Sequence, residues 1–281
     1  MALKMAEIEL IPKKLPKIPI EAENISCDVF AGKSIDEIKD LPVNKGNKTL
    51  SIKDFFEVKG SKVDNAEDLK IIINGDVSIV RNIGKGMTAG EILINGSAGM
   101  HTADRLNGGK IVVVGDVGDF SATEMQKGEL IVKGSAGNYL GSNYRGNWQG
   151  MMGGKIIVDG NVGKETGAWL KGRNAIMEIG GNADIFLGIH QHRGVILIKG
   201  DVADRAGGEM AGGKIITLGK INAILPSFNY IEEVPEVEIT EENKVKGPFL
   251  KFQGDLGQRS AKKQKGAIYA LKSKNKHLIN N

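Results

Sequence analysis

Apolar residues along the chain fall into short strings between residues 69 and 219, each string ended by a glycine. The strings read LKIIIN, EILIN, KIVVV, ELIVK, KIIVD, IMEIG, VILIK and KIITL. The closing glycines are Gly75, Gly96, Gly115, Gly134, Gly160, Gly181, Gly200 and Gly219, at steps of 21, 19, 19, 26, 21, 19 and 19 residues. That spacing is a repeat. Five or six β-branched and aliphatic residues stopped by glycine make a strand and are too few for a useful helix. About 19 to 21 residues per unit leave room for two or three short strands and turns. Stacked in parallel at about 4.8 Å, such units predict an all-β fold, a parallel β-helix of about eight rungs.

The pattern also predicts direction. Second and fourth strand residues (Ile92 and Ile94, Ile111 and Val113, Ile156 and Val158, Ile196 and Ile198) point into the core. Two positions after each closing glycine runs an apolar column: Val77, Ala98, Val117, Ala136, Val162, Ala183, Val202 and Ile221. A further column of core filler is expected at Met87, Leu106, Met125, Met151, Gly172, Gln191 and Met210. The recurring glycines are expected at corners with positive φ. The third strand residue then faces outward, at Ile72, Leu93, Val112, Ile131, Ile157, Glu178, Leu197 and Ile216. Seven of these eight are large aliphatics. They form a stripe roughly 34 Å long, larger than a monomer normally exposes, so the leader, the tail or another subunit must cover it. The series 21, 19, 19 occurs twice around the step of 26, which suggests a duplicated four-rung unit.

Three segments follow: a leader at 1–68, the repeats at 69–225 and an extension at 226–281. Prolines 12, 16, 19 and 42 hold the leader to extended or turn geometry. Ser34 with Glu37, and Ser51, offer starts for two short helices whose Ile35, Ile38, Leu41, Phe55 and Phe56 would cap the first rung. In the extension, 230–243 is acidic and extended. Strand-like pieces at 249–252 and 267–271 make a hairpin candidate across 254–266, and 272–281 reads as a frayed basic end.

Composition adds limits. A net charge of +4 argues against nucleic acid as the main partner. No apolar run reaches the roughly 18 to 20 residues of a membrane span, and no signal-peptide apolar region opens the chain, so it reads as cytoplasmic. The lone cysteine, Cys27, excludes an internal disulfide or a thiolate cluster and fits a buried, idle thiol.

The signal for catalysis is thin, and no catalytic or metal-binding set is assigned. Asp76, Asp116 and Asp201 share a column with Ser97, Ser135, Asn161 and Asn182, which suits turn capping. Stacked aspartates could alternatively serve calcium or a polysaccharide, a reading that the Ser and Asn interruptions weaken. His190 and His192 would point the same way on an extended segment and could ligate a metal, but no third ligand of obvious spacing accompanies them, so loop surface or a contact with another subunit is expected. The loop at 135–154 is seven residues longer than its neighbours and gathers Tyr139, Tyr144, Arg145 and Trp148 in a chain with 5% aromatics. Such residues anchor interfaces and stack on ligands; a self-packed bulge is the alternative. GxxxxGK[ST] is absent, which disfavours a phosphate cradle, and the spacing does not match the period of 18 of hexapeptide-repeat acyltransferases.

Three phrases carry a family resemblance: IGKGMTAGEILINGSAG at 83–99, GSNYRGNWQGMMGGKIIVDGNVG at 141–163, and the leader's IPIEAENISCDVFAGKSIDEI. With the repeat they make the chain, over nearly its whole length, similar to the C subunit of formylmethanofuran dehydrogenase. The repeat alone also resembles the GXGXG domain of the glutamate synthase large subunit, an alternative structural role. The first resemblance implies a right-handed parallel β-helix and a scaffold in a cytoplasmic archaeal complex that reduces CO2 and forms formylmethanofuran in the first step of methanogenesis. It implies no cofactor on this chain. The tungsten or molybdenum pterin, the iron–sulfur clusters and a metal-dependent amidohydrolase site would belong to partner subunits. Ala175 in place of an opening glycine, and Gly172 and Gln191 in the methionine column, depart from the pattern.

Overall fold

The computed structural model describes residues 5–257 and 265–279. In chain order the leader supplies β1 (Ala6–Pro12), β2 (Ile20–Glu21), α1 (Cys27–Phe30), α2 (Ile35–Lys39), β3 (Pro42–Lys45), β4 (Lys48–Ser51), α3 (Ile52–Phe55) and β5 (Phe56–Gly60). The repeats supply β6 (Leu69–Ile73), β7 (Val80–Arg81), β8 (Glu91–Ile94), β9 (Asn107–Val113), β10 (Lys127–Val132), β11 (Lys155–Val158), β12 (Ile176–Ile179), β13 (Val195–Ile198) and β14 (Lys214–Thr217). The extension adds β15 (Asn229–Glu238), β16 (Lys244–Gln253), β17 (Ala267–Leu271) and α4 (Lys272–Asn275).

The eight apolar strings pair in parallel within one 13-stranded sheet, β6 through β14 without β7. Their register is constant, with Ile71, Ile92, Ile111, Leu130, Ile156, Met177, Ile196 and Ile215 in line. A one-residue slip would turn this buried set outward, so the alternation itself fixes the register. A second parallel ladder of single bridges joins Val77, Ala98, Val117, Ala136, Val162, Ala183, Val202 and Ile221. Both columns are buried in the main core. Beside the second ladder, every polar side chain from Ser97 onward accepts from a backbone amide one turn on, among them Ser135 N–H to Asp116 Oδ1 at 2.7 Å, Asn182 N–H to Asn161 Oδ1 at 2.8 Å and Lys220 N–H to Asp201 Oδ1 at 2.7 Å, whereas Asp76 accepts from Ser78 N–H in its own turn. The capping expected of this column therefore links successive turns.

Three expectations need correction. Opening glycines such as Gly128 do sit at positive φ (86°), but the closing glycines after Gly75, such as Gly115, do not. A Cβ on Gly115 would lie 2.8 Å from the Gly96 carbonyl carbon, so close approach of the neighbouring turn demands the small residue. In the methionine column the fifth place belongs to buried Leu170, whose amide bonds the Gly167 carbonyl as Gln191 bonds Gly188, and Gly172 lies beyond it. The two 21-residue steps also arise differently. Extra residues between Val77 and Asn82 form β7, which pairs with the leader's β2, whereas those of the later step lie between Leu170 and Ala175. Equal spacing thus does not make two equivalent four-turn units.

Leader and extension each extend the sheet. β1 pairs parallel with β6 and antiparallel with β5, while α2 carries the expected capping box of Ser34 and Glu37. Ile38, Phe55 and Phe56 are buried, with Ile35 and Leu41 packed against the same core. At the other end β17 pairs parallel with β14 and antiparallel with β16, which in turn pairs with β15. The residues joining β16 to β17 lie largely outside the described residues, as do 280 and 281; 272–278 are helical rather than frayed. Val237 and Phe249 bury Leu197 and Ile216 in a second small core. Among the described residues the tail covers only that end of the stripe. Ile72, Leu93, Val112, Ile131 and Ile157 remain half-buried. No described helix is long and apolar enough to cross a membrane.

Candidate interaction face

After each second-ladder residue from Val77 to Val202 the chain makes a tight turn that contains left-handed residues at alternate positions. Phe120, Ala122 and Glu124 have φ of 58°, 52° and 54°. The middle position is small, as in buried Ala103 and Ala122 or in Gly141, Gly167, Gly188 and Gly207. The first position carries His101, Phe120, Tyr139, Glu165, Phe186 and Arg205, and the third carries Arg105, Glu124, Trp169, His190 and Glu209. A residue with a Cβ loses about 1–2 kcal/mol in this conformation, and bulky residues are rare there. Hydrogen bonds between turns hold them in place: Phe120 N–H to Asn138 O and Tyr139 N–H to Lys164 O, both 2.8 Å, and Glu165 N–H to Ile185 O at 3.1 Å. Stacked turns therefore stack rings. His101 lies on Phe120 with centroids 5.4 Å apart, and Phe120 on Tyr139 at 4.5 Å.

The long loop at 135–154 returns across this ladder and is pinned by Tyr144. Its hydroxyl donates to Asp104 Oδ1 at 2.9 Å and lies 2.9 Å from His101 Nδ1. With the phenolic proton given to Asp104, the network assigns the His101 proton to Nδ1. Arg105 lies over the Tyr144 ring at 5.3 Å and its Nε meets Glu124 Oε2 at 2.9 Å, while Asn147 Nδ2 donates to Glu124 Oε1 at 2.6 Å. Burial raises the pKa of Asp104 and of Tyr144 above their ordinary values and lowers that of His101.

Beyond that anchor the loop carries Arg145 and Trp148 outward. Trp148, 63% exposed, meets Trp169 edge-on at 5.0 Å. Trp169 stacks on His190 at 4.2 Å and on His192 at 5.8 Å. His190 Nδ1 lies 3.5 Å from Glu209, and burial lowers the pKa of His192. A cleft of about 420 Å³ opens between these groups, lined in part by Tyr139, Arg145, Trp148, Glu165, Phe186 and His190. Of the six residues singled out in the sequence, Tyr139, Arg145, Trp148 and His190 line this cleft. Tyr144 anchors its rim and His192 packs behind Trp169.

Sequence reasoning missed Phe120, Trp169 and Phe186, and the buried carboxylates Asp104 and Glu124. The signal was present: Phe120 and Tyr139 are one step of 19 apart, and Trp169 and His190 one step of 21. Among the described residues no group of three His, Cys, Asp or Glu side chains is placed to hold a metal ion. Cys27 is fully buried and burial pushes its thiol pKa up to about 12, which does not fit a thiolate ligand.

No family model matches the chain. The C subunit of the tungsten-containing formylmethanofuran dehydrogenase 2 of Methanothermobacter thermautotrophicus is 45% identical over 274 residues, covering 98% of this chain and 99% of the relative. The C subunit of the tungsten-containing enzyme of Methanococcus maripaludis is 40% identical over 280 residues, with 98% and 100% covered. The C subunit of the molybdenum-containing formylmethanofuran dehydrogenase 1 of Methanosarcina barkeri is 49% identical over 98 residues, 35% of this chain and 33% of the relative. A chain in the crystal structure of the formyltransferase/hydrolase complex of Methylorubrum extorquens with methylofuran has a TM-score of 0.78 at 19% identity, covering 94% of this chain and 99% of that one. At that identity the likeness is one of fold.

Proposed function

The chain belongs to the family of formylmethanofuran dehydrogenase C subunits, and from that premise we propose that it is a non-catalytic scaffold holding the other subunits of that complex in register. The observation that carries this reading is the row Ile72, Leu93, Val112, Ile131 and Ile157, which the described part of the chain's own tail leaves partly exposed. Five turns at about 4.8 Å make a straight apolar edge some 20 Å long. Covering the part of each aliphatic still in solvent contributes on the order of 1 kcal/mol per residue or less before the cost of association. The aromatic cleft offers a second contact.

The finer architecture in this reading is a right-handed parallel β-helix over 69–225, closed by the leader at 1–68 and the extension at 226–281. Two parallel ladders in constant register support it. The pterin, the iron–sulfur clusters and the amidohydrolase metal belong to partner subunits, since a single buried cysteine and a histidine pair packed on Trp169 suit none of them. The assembly is assigned to the cytoplasm, in keeping with the single free thiol. Affinity isolation of the tagged chain tests the role. The expected result is co-purification of amidohydrolase and redox subunits, with no dehydrogenase or hydrolase turnover by the chain alone. Turnover by the chain alone would overturn it.

A further inference from the structure

The outward ladder of rings is interrupted at one place. Phe120 and Tyr139 stack, the next turn presents Glu165, and the turn after that presents Phe186. Two turns at about 4.8 Å put the Tyr139 and Phe186 backbones roughly 10 Å apart. A planar group stacked on both rings needs about 7 Å. The interruption is therefore a slot, and it opens into the cleft. Between the two rings the half-buried Glu165 lines the cleft and makes no ion pair with any described residue. Elsewhere on this face the chain twice seats a guanidinium on a ring, Arg105 over Tyr144 and Arg205 over Phe186, each at 5.3 Å. The slot offers a ring on either side and a carboxylate between them but, among the described residues, no guanidinium within ion-pair distance of that carboxylate.

We propose that this slot receives an arginine side chain of a partner subunit, its guanidinium stacked between Tyr139 and Phe186 and paired with Glu165. Planarity and five donors suit arginine to a site that combines ring faces with a carboxylate, whereas a lysine ammonium would gain the charge without the stacking. The left-handed backbone at Tyr139, Glu165 and Phe186 (φ 62°, 54° and 64°) fits this role, because it projects those side chains at a cost in stability. The inference rests on the scaffold reading and names the chemistry of one of its contacts.

Both tryptophans of the chain, Trp148 and Trp169, line the cleft, so intrinsic fluorescence reports on it. The test titrates the full chain with Nα-acetyl-arginine amide and, separately, with Nα-acetyl-lysine amide, in the native protein and in Glu165→Gln, Phe186→Leu and Arg145→Ala. The expected result is a saturable change with the arginine probe, affinity roughly tenfold weaker in Glu165→Gln, weaker binding of the lysine probe, and affinity no weaker than native in Arg145→Ala. Phe186→Leu should weaken the arginine probe and leave the lysine probe unchanged. Equal binding of the two probes, or indifference to Glu165→Gln, overturns the proposal. Binding seen only in Arg145→Ala also overturns it, by showing that the loop's own arginine fills the slot. No response in any protein, while partner subunits still co-purify with the native chain, rejects the slot and leaves the scaffold reading standing.

Discussion

Replacing Tyr144 with Phe removes one hydroxyl and keeps the ring that packs 6.0 Å from Phe120 and under Arg105. Asp104 is 2% exposed, and that hydroxyl is the donor to its Oδ1. A hydrogen bond to a charged group contributes about 1.5–3 kcal/mol, and a buried acceptor left without its donor bears its desolvation cost in full. The expected loss at pH 7 is therefore about 2–3 kcal/mol. In an Asp104→Asn background the amide oxygen still accepts from Tyr144 but buries no charge. The same change should there lose only the ~0.5–1.5 kcal/mol of a neutral bond. The assay is urea denaturation of the four proteins of this cycle, followed by tryptophan fluorescence. The loss should also shrink on acidification, because burial has already raised the Asp104 pKa and the protonated carboxyl needs the donor less. A loss below about 0.5 kcal/mol, or one equal in the two backgrounds, would refute the claim that Tyr144 pins the loop through a buried carboxylate.

Other consequences are equally direct. Gly115→Ala forces a Cβ against the Gly96 backbone and should lose about 1–3 kcal/mol in the same denaturation assay. Phe186→Gly relieves a left-handed backbone while deleting a partly buried ring, so stability should stay within about 1 kcal/mol even as the arginine probe is lost. Burial lowers the pKa of His101 and His192 below 6.5, so below that pH the unfolded chain binds protons that the folded chain resists. Unfolding free energy should fall between pH 7 and about 5.5, less steeply in a His101→Asn, His192→Asn double variant, with Asp104 opposing because its pKa is raised. A thiol reagent should label Cys27 only after denaturation, since burial pushes its pKa up to about 12.

The strands were legible because aliphatic alternation and terminal glycine occur together in them, and a one-residue error would have exposed every buried position. Columns of small and branched residues were legible for the same reason. The left-handed turns were not, because Phe120, Tyr139, Trp169 and Phe186 occupy positions where glycine or asparagine would have marked the geometry. The face was seen as a cluster of aromatics in one long loop, while half of its rings come from turns of ordinary length. Leu170 was missed because the extra residues of its turn follow it, which shifts any count made backward from the next strand. The leader's β1 owes its place to pairing with β6 at long range, and its single short alternation, AEIELIP, gave little local signal. The hairpin of β15 and β16 hides behind an acidic segment in which Val234 and Val237 alone reach the second core from β15.

In the scaffold role a partly exposed apolar edge on this chain organises the complex. The most direct test of that role is a native mass measurement of which subunits remain in the complex isolated through a tagged Leu93→Asp, Ile131→Asp variant. Both side chains point outward and each is only partly buried, so the variant chain should fold with near-native denaturation behaviour. The account predicts that this folded variant no longer retains the other subunits. A complex of unchanged composition and mass would contradict it.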